Sequence, residues 1–486
     1  MIAPLATPEE SAGPKGSFSS AYVWLASASG ALGGLLFGYD WVVIGGAKPF
    51  YELYFRLHSP SLQGWAMSCA LIGCLIGAIS SGGLSSRFGR KLPLTLAALL
   101  FAVSSLGTGL ATHFVAFVVW RMTGGFAIGL ASGISPMYIS EISPAHLRGR
   151  LVSLNQLAIV FGILLAQVVN WLIARPVPHG ATPQEILASW NGQFGWRWMF
   201  AVTAIPSVLF LIATFLVPES PRWLASKSRN PEALRVLERL GGSPYAQQVM
   251  SDLALAGDDR PQSSMWQELS SPGIGKVLLL GVVLAVLQQW CGINIIFNYA
   301  QEIFAAAGYQ VSDILFNIVV TGAVNLVFTF VALAAIDRYG RRVLLLTGVS
   351  GLVVIYTVLG LFYRMHLHGK PMLVLVLAAI ACYAMSLAPA TWVVIAEIFP
   401  SRIRSSAMSV AITALWTACF ILTYTFPLLN AALGVAGTFW TYAGICLSGL
   451  IFLYFRLPET RGKTLEEIET SLRTGKSKEP LHAHKT

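Results

Sequence analysis

One acidic residue interrupts an otherwise apolar stretch near the amino terminus, the sequence LLFGYDWVVIGG at residues 35–46. An ionised carboxylate near the centre of a membrane-spanning helix costs about 2.5 to 3.5 kcal/mol on insertion scales, so an acid kept there is expected to have a function. The acid is Asp40. A carboxylate in such a place can exchange a proton or pair with a buried cation, and this is the chemistry that the residue predicts.

A matching cation, Arg121, lies in a later apolar stretch. If the first helix begins near Trp24, Asp40 lies about 24 Å along it, in the outer third of the membrane, and Arg121 lies about 9 to 12 Å from the outer end of its own helix. The two charges are therefore expected at similar depth, where low dielectric favours an ion pair. Separating the pair, or admitting water, would allow Asp40 to bind a proton; the alternative is a static pair that fixes helix packing.

These residues belong to a chain built mostly of apolar stretches. Of the 486 residues, 55% are hydrophobic and 11% are charged, and the mean hydropathy is +0.66, whereas soluble domains have about 25% charged residues. Because about 20 apolar residues in a helix cross a hydrocarbon core of about 30 Å, we predict an all-α membrane protein with twelve transmembrane helices. The predicted spans are 22–44, 63–84, 92–111, 115–138, 151–174, 195–217, 276–299, 314–336, 343–363, 371–396, 406–429 and 434–456.

The positive charges predict the orientation of the chain. The formal net charge is +10, and Lys and Arg residues gather in every second loop, as with Arg87, Arg90 and Lys91 after span 2. By the positive-inside rule these loops and both termini are cytoplasmic. This distribution argues against a nucleic-acid partner. We expect a multi-pass protein of the plasma membrane, which is the inner membrane in a bacterium, surrounded by the lipid bilayer.

Three loop signatures occur twice, in the same order. SSRFGRK returns as IDRYGRR, YISEISPAHLRGR as VIAEIFPSRIRSS, and VPESPRW as LPETRGK, with offsets of 251, 256 and 240 residues between equivalent positions. The chain therefore consists of two homologous halves of six spans, and because six is even the halves have the same orientation. The predicted division is an N-terminal segment 1–21, a six-helix bundle 22–217, a cytoplasmic linker with short helices 218–275, a second six-helix bundle 276–456, and a cytoplasmic tail 457–486.

The repeated signatures place Arg residues close to Glu residues at helix ends. Such pairs can hold two helices together on one face of the membrane, and Arg148 and Arg150 beside Glu141, or Arg404 beside Glu397, are candidate pairs. The alternative is simple anchoring by positive charge. The expected cytoplasmic gating residues are Arg87, Arg90, Glu141, Arg148, Arg150, Glu219, Asp337, Arg338, Arg341, Glu397, Arg404 and Glu459.

Other motifs do not support an enzyme. The strings GKT at 462–464 and GKS at 475–477 lack the glycine that a phosphate-binding loop requires, since Leu457 and Thr470 occupy that position. The six cysteines show no metal spacing, and the histidine pairs at 366–368 and 482–484 are isolated. We expect no catalytic residues, no cofactor and no metal.

With its motifs in order, the sequence resembles the sugar porter family of the major facilitator superfamily. The resemblance runs from about residue 22 to 470 and is carried by SRFGRK, PMYISEISPAHLRGR, PESPRWL, QQWCGIN, IDRYGRR, AEIFP and PETRGKTLEE. The family includes bacterial proton/sugar symporters, such as xylose-type symporters, and animal facilitative glucose transporters. The resemblance implies the major facilitator fold, alternating access of two bundles around a sugar near the midplane, and a monomer.

The resemblance also implies a set of sugar-binding residues. Amides offer donors and acceptors to sugar hydroxyls, and aromatic faces suit a pyranose, although interhelical hydrogen bonds or simple packing are the alternative. The expected substrate-binding residues are Phe37, Gln156, Gln288, Gln289, Asn294, Asn298, Asn325, Trp392 and Trp416. Two positions depart from the family pattern: Leu415 replaces a common Gln before Trp416, and Asn298 replaces one Tyr of a common pair.

The internal repeat makes Asp40 the counterpart of Asn294, 254 residues later. Proton-coupled relatives carry an Asp matching Asp40 and an Arg matching Arg121, whereas facilitative relatives have a neutral residue at the first position. The resemblance therefore implies proton-coupled symport of a monosaccharide, hexose or pentose, with the sugar and protons as partners. A uniporter is the main alternative, since Thr203 stands where some proton-coupled relatives have an acid, and a non-transporting sugar sensor is another.

Overall fold

A computed structural model describes residues 20–144, 147–178, 180–257, 274–367, 369–399 and 404–459, and these residues form helices and loops without a strand. The first half contains α1 (Ser20–Tyr54), α2 (Pro60–Phe88), α3 (Lys91–Leu110), α4 (Phe114–Ile142), α5 (Arg148–Ile173), the short α6 (Pro183–Ala188), a π-helical turn (Asn191–Gly195), α7 (Trp196–Ala201) and α8 (Ala204–Leu216). The π-helical turn, α7 and α8 together make the sixth span, Asn191–Leu216.

The second half repeats this plan with more helix breaks. It contains α11 (Ile274–Trp290), α12 (Ile293–Asn298), α13 (Ala300–Ala306), α14 (Val311–Tyr339), α15 (Arg341–Arg364), α16 (Lys370–Met385), α17 (Leu387–Ile398) and α18 (Arg404–Arg456). Within the described residues eleven helical segments are long and apolar enough to cross a membrane, and the last of them, Ser406–Arg456, has 51 residues. A helix of that length would measure about 77 Å, more than twice a hydrocarbon core.

The last segment is therefore two crossings. Its backbone is broken at Gly434, where φ is +67°, a left-handed conformation that glycine adopts without steric cost. With this break the described residues contain twelve spans, and each overlaps the predicted one. The all-α, twelve-span prediction is confirmed.

The first helix is longer than predicted. Span 1 was expected to end near residue 44, with Lys48 in the following loop, but α1 continues to Tyr54 in spite of Pro49 inside it. The hydropathy of the sequence falls after Gly46 because Lys48 and Glu52 are charged, and the helix continues because those charges are satisfied by neighbours. Asp40 consequently has 14 helical residues beyond it, so it lies nearer the middle of its helix than the outer third that was expected.

The polar segment between the halves contains two described helices, α9 (Pro221–Ser226) and α10 (Asn230–Gly257), the second broken at Gly242. Leu237 and Leu240 of α10 pack with Val23 and Leu151 of the first half. Helices are therefore present in this segment, as predicted. The N-terminal segment up to residue 19 and the tail beyond residue 459 lie outside the described residues, and so does LEEIE at 465–469, whose sequence predicts a short helix.

Close packing in the first half depends on glycine. The glycines four residues apart, at 73 and 77 in α2 and at 125 and 129 in α4, predict close helix packing. In the structure α2 and α4 meet backbone to backbone at these positions. A Cβ added to Gly125 would lie 1.9 Å from the carbonyl oxygen of Ala70, and one added to Gly73 would lie 2.1 Å from that of Met122. Small residues at such positions let transmembrane helices approach.

We expect Gly125→Ala to destabilise the protein because backbone must move to admit the methyl group; such overpacking costs about 1 to 3 kcal/mol. The measurement is the midpoint of thermal unfolding in detergent. Gly444→Ala is the matched control, since nothing lies within 4 Å of its added Cβ. Equal midpoints for the two variants would contradict the contact between α2 and α4.

Candidate transport site

The end of the molecule where α2 meets α3 carries Arg87, Arg90 and Lys91, and we call it the basic end. The end where α1 meets α2 is the opposite end. The central ion pair lies between them. Arg121 of α4 donates to both carboxylate oxygens of Asp40 in α1, at 2.9 and 3.0 Å, and its second terminal nitrogen lies 3.4 Å from the Asp40 carbonyl oxygen. Asp40 is 4% exposed and Arg121 is 3% exposed.

The surroundings of this pair are adapted to hold it. Gly124, one turn from Arg121, packs beside the carboxylate, since a Cβ there would lie at contact distance, 3.7 Å, from Asp40 Oδ2. The Arg121 guanidinium also lies 5.4 Å from the centre of the Phe200 ring. A buried pair is stable while both partners are charged and in contact, and removing either charge leaves the other uncompensated.

A chain of amides lies in the second half, at the break between α11 and α12. The Gln288 side chain donates to the Tyr383 hydroxyl at 3.0 Å, Gln289 donates to Gln288 Oε1 at 2.7 Å, and Asn294 donates to Gln289 Oε1. All of these groups are buried. Such a chain presents a row of donors and acceptors suited to sugar hydroxyls.

The break explains why these amides meet. Span 7, predicted at 276–299, is matched by Ile274–Asn298, and its helix is broken at Gly292, where φ is +84°. A side chain at this position would also meet the ring of Tyr442, since an added Cβ would lie 2.9 Å from it. In a straight helix Gln289 and Asn294 would point in different directions, and the turn at Gly292 brings them into hydrogen-bonding contact.

Three aromatic rings lie together between the halves. The ring centres of Phe37 and Trp416 are 5.9 Å apart, those of Trp41 and Trp416 are 6.0 Å apart, and those of Phe37 and Trp41 are 6.1 Å apart. The sequence singled out Phe37 and Trp416 as candidates but not Trp41. Leu415 beside them is buried, so an apolar side chain fills the place of the family's common Gln.

The other sugar-binding candidates are less closely associated in this conformation. Gln156 and Trp392 are half-buried, and Asn325 is buried. Asn298, one turn after Asn294 in α12, lines a small cavity together with Arg121.

At the opposite end, the two halves are in direct contact. Lys48 of α1 lies 2.9 Å from Glu52 in its own helix and also pairs with Glu302 of α13. Lys48 is fully buried, and its ammonium lies 5.4 Å from the centre of the Tyr299 ring. Lys48 and Glu302 are 254 residues apart, the same offset as Asp40 and Asn294. Repeat-related residues that touch must lie near the pseudo-twofold axis between the halves.

Two further contacts close the same end. The hydroxyls of Ser61 and Tyr424 are 2.9 Å apart, and the rings of Trp171 and Phe316 are 5.9 Å apart. Each contact joins a helix of the first half to one of the second. Lys48, Glu52 and Glu302 were not predicted from the sequence. The signal that could have revealed Lys48 and Glu302 is the repeat offset of 254 residues, which relates these two charged positions.

At the basic end, the ion pairs differ from the candidate pairs. Glu141 accepts two hydrogen bonds from Arg90, each of 2.7 Å, while Arg148 is exposed and donates to the Ser140 carbonyl oxygen. In the second half Arg341 lies 3.3 Å from Glu397. The partner of each Glu is thus an Arg after span 2 or span 8, because the short loop there packs against the helix end that carries the Glu.

A second acid completes this arrangement in each half. Glu219 accepts hydrogen bonds from the backbone nitrogens of Arg90 and Lys91, and Glu459 accepts from those of Arg341 and Arg342. These acids therefore cap the start of α3 and of α15, where free N–H groups and the helix dipole favour a negative charge.

The remaining basic-end candidates are placed as follows. Arg87, Arg150 and Arg338 are exposed, and Arg87 and Arg338 stack on Phe88 and Tyr339. The side chains of Asp337 and Arg404 lie outside the described part of the chain. Each basic-end ion pair given above joins helices of the same half, so these pairs brace each bundle in this conformation.

The repeat, the twelve spans and the buried polar groups between the halves define a membrane transporter of the major facilitator fold, in which two six-helix bundles are arranged as a parallel repeat. The chain belongs to the sugar transporter family, since the family model described as Sugar (and other) transporter matches residues 26–472. The members of this family that match the chain are transporters, so the expectation that the chain is not an enzyme is confirmed.

Similar proteins agree with this assignment. The D-xylose-proton symporter of Escherichia coli (strain K12) is 36% identical, with 93% of this chain and 96% of that protein covered. The arabinose-proton symporter of Bacillus subtilis (strain 168) has the same identity and the same coverage. The inward open conformation of the xylose transporter XylE from E. coli matches with a TM-score of 0.80 at 34% identity, covering 92% of this chain and 99% of that one.

We expect Lys48→Met to open the contact at the opposite end, because two half-buried carboxylates lose the buried cation that they share; breaking a buried pair costs about 3 to 5 kcal/mol. The measurement is the alkylation rate of a cysteine introduced by Thr423→Cys, a buried position beside Tyr299 at this end, and this rate should rise at least tenfold. Glu52→Gln is the matched control, since it leaves the pair between Lys48 and Glu302 intact. Unchanged alkylation in Lys48→Met would contradict a latch between the halves.

Proposed function

We propose that this protein is a proton-coupled monosaccharide symporter that works by alternating access. The observation that carries the proposal is the buried ion pair between Asp40 and Arg121, the one place near the middle of α1 where an ionisable acid meets a cation. The names of the xylose and arabinose symporters that resemble the chain support the same function.

The ion pair suits a proton switch. While Asp40 is ionised, Arg121 neutralises it, and the pair holds α1 against α4. A proton arriving from the outer side neutralises Asp40 and weakens its hold on Arg121. The two bundles can then change their relative orientation, and Asp40 releases the proton on the inner side. Proton binding is coupled to movement of the bundles because an unpaired charge is costly in the low dielectric between the helices.

The sugar site proposed here combines the amide chain with the aromatic rings. Gln288, Gln289 and Asn294 offer donors and acceptors, and Phe37 and Trp416 offer ring faces to the apolar side of a pyranose. Gln156, Asn325 and Trp392 complete the site from neighbouring helices. The substrate is a hexose or a pentose.

The remaining expectations form part of the same proposal. Residues 22–217 and 276–456 are the two moving bundles, and residues 218–275 link them. The basic end and both termini face the cytoplasm by the positive-inside rule, the basic-end ion pairs take part in gating, and the lipid-embedded protein is a monomer. The contacts at the opposite end and the similarity to the inward open conformation of XylE support an inward-facing state.

The experiment is uptake of a panel of labelled monosaccharides into proteoliposomes, with and without an inward proton gradient. Wild type should accumulate one or more of these sugars against a concentration gradient. Asp40→Asn should abolish accumulation and retain sugar exchange, because the amide keeps the size of the side chain and cannot ionise.

Two other outcomes would contradict the proposal. Equal, gradient-independent equilibration in wild type and Asp40→Asn would identify a uniporter. Sugar binding without uptake would identify a sensor. Glu185→Gln is a suitable control, because Glu185 caps the short α6 outside the membrane spans and has no part in the proposed cycle.

A second expectation concerns the amide chain. Gln289→Leu removes a donor to Gln288 and an acceptor of Asn294, and each buried polar group left unpaired costs about 1 to 3 kcal/mol. We expect the apparent KM for sugar exchange to rise by about tenfold or more. Tyr383→Phe should have a smaller effect, since it removes one bond at the end of the chain. An unchanged KM in Gln289→Leu would exclude the amide chain from the sugar site.

A further inference from the structure

A small cavity lies beside the Asp40–Arg121 pair, between the two halves. Its volume is about 10 Å³, and its lining includes Arg121, Asn298 and Trp41. A space of about 10 to 15 Å³ is the minimum for one water molecule. Most of the other lining side chains are apolar, so polar atoms face this space mainly from Arg121 and Asn298.

Two of these polar atoms have no protein partner within the described residues. Arg121 Nε is buried and unpaired, although the terminal nitrogens of the same side chain bind Asp40. Asn298 Oδ1 is also buried and unpaired. Arg121 is 3% exposed and Asn298 is 4% exposed. Buried polar groups are hydrogen-bonded in nearly all native proteins, so both atoms need a ligand.

The two atoms are complementary. Arginine Nε can only donate and an amide oxygen can only accept, so a water molecule between them can accept from the first and donate to the second. The cavity has a volume of about 10 Å³ with the Trp41 side chain in its lining, so it has room for one such molecule and no more.

We propose that this cavity holds a single water that links Arg121 of the first half to Asn298 of the second half. Asn298 is then a positioning residue for proton coupling rather than a sugar ligand. The water site rests on the cavity and the two unpaired atoms. The role of Asn298 in proton coupling rests, in addition, on the proposed function.

The link would make closure of the opposite end sensitive to the charge of Asp40. When Asp40 binds a proton, Arg121 loses its carboxylate partner, and a buried cation requires another. The water and Asn298 provide one only while α12 lies against α1, where Asn298 and Arg121 line the same cavity. Protonation therefore favours the closed arrangement, and opening carries Asn298 away from Arg121.

The direct test of the site is a high-resolution crystal structure of the protein with this end closed, with and without bound sugar. The expected result is one isolated water peak within hydrogen-bonding distance of Arg121 Nε and Asn298 Oδ1 in both crystals. A peak continuous with the sugar would assign the site to a sugar hydroxyl and overturn the proposal. An empty cavity, or a direct bond between the two side chains, would also overturn it.

The test of the role compares Asn298→Leu with Asn317→Leu in proteoliposomes. Asn317 is a similarly buried asparagine in α14 with an unpaired amide nitrogen, and it does not line the cavity, so it controls for loss of a buried amide. We expect Asn298→Leu to reduce the ratio of gradient-driven accumulation to sugar exchange by about tenfold, at unchanged KM for exchange. Asn317→Leu should leave the ratio within about twofold.

Asn298→Ser retains an acceptor and should keep most of the ratio. A raised KM with an unchanged ratio in Asn298→Leu would return Asn298 to the sugar site and overturn the coupling role. Sugar exchange without gradient-driven accumulation in wild type would contradict the proposed symport but not the water site. The presence or absence of the water peak would still test that site.

Discussion

The whole arrangement depends on one constraint: a charge buried between membrane helices must have a partner. Asp40 and Arg121 satisfy each other at the centre, and Lys48 satisfies two carboxylates at the opposite end. Loss of the cation from either cluster leaves carboxylates without a partner between the helices, and a lone buried ion costs several kcal/mol. This same cost makes each cluster suitable as a switch or latch, since helix movement and change of charge must occur together.

The two halves have equivalent ion pairs and helix caps at the basic end, but their repeat-related residues near the axis differ. Each half has an Arg–Glu pair and a Glu that caps the following helix, so both bundles are braced in the same way. Near the axis the repeat-related positions differ in charge. Asp40 faces Arg121 while its counterpart Asn294 belongs to the amide chain, and Lys48 pairs with its own counterpart, Glu302. Two bundles braced in the same way thus hold unlike polar groups near the axis, an ion pair in the first half and an amide chain in the second.

Much of the fold could be predicted because each span carries its own signal. Hydropathy located twelve helices, the repeated loop signatures divided them into two halves, and glycines four apart indicated where helices could pack closely. The predictions failed where a distant partner decides the local structure. Charged residues after Gly46 ended the predicted first span, yet Glu302, far along the chain, helps to stabilise Lys48 inside α1.

The sequence by itself determined the class of protein, the repeat and the residue types of the site, since these follow from composition and spacing along the chain. Only the tertiary structure decided which of these residues meet. Arg90 rather than Arg148 or Arg150 pairs with Glu141, Gly292 turns Asn294 toward Gln289, and Asn298 lines a cavity with Arg121. Such contacts depend on the rotation and depth of each helix and on where it breaks. These can change by a residue or two without changing the apolar pattern of the sequence.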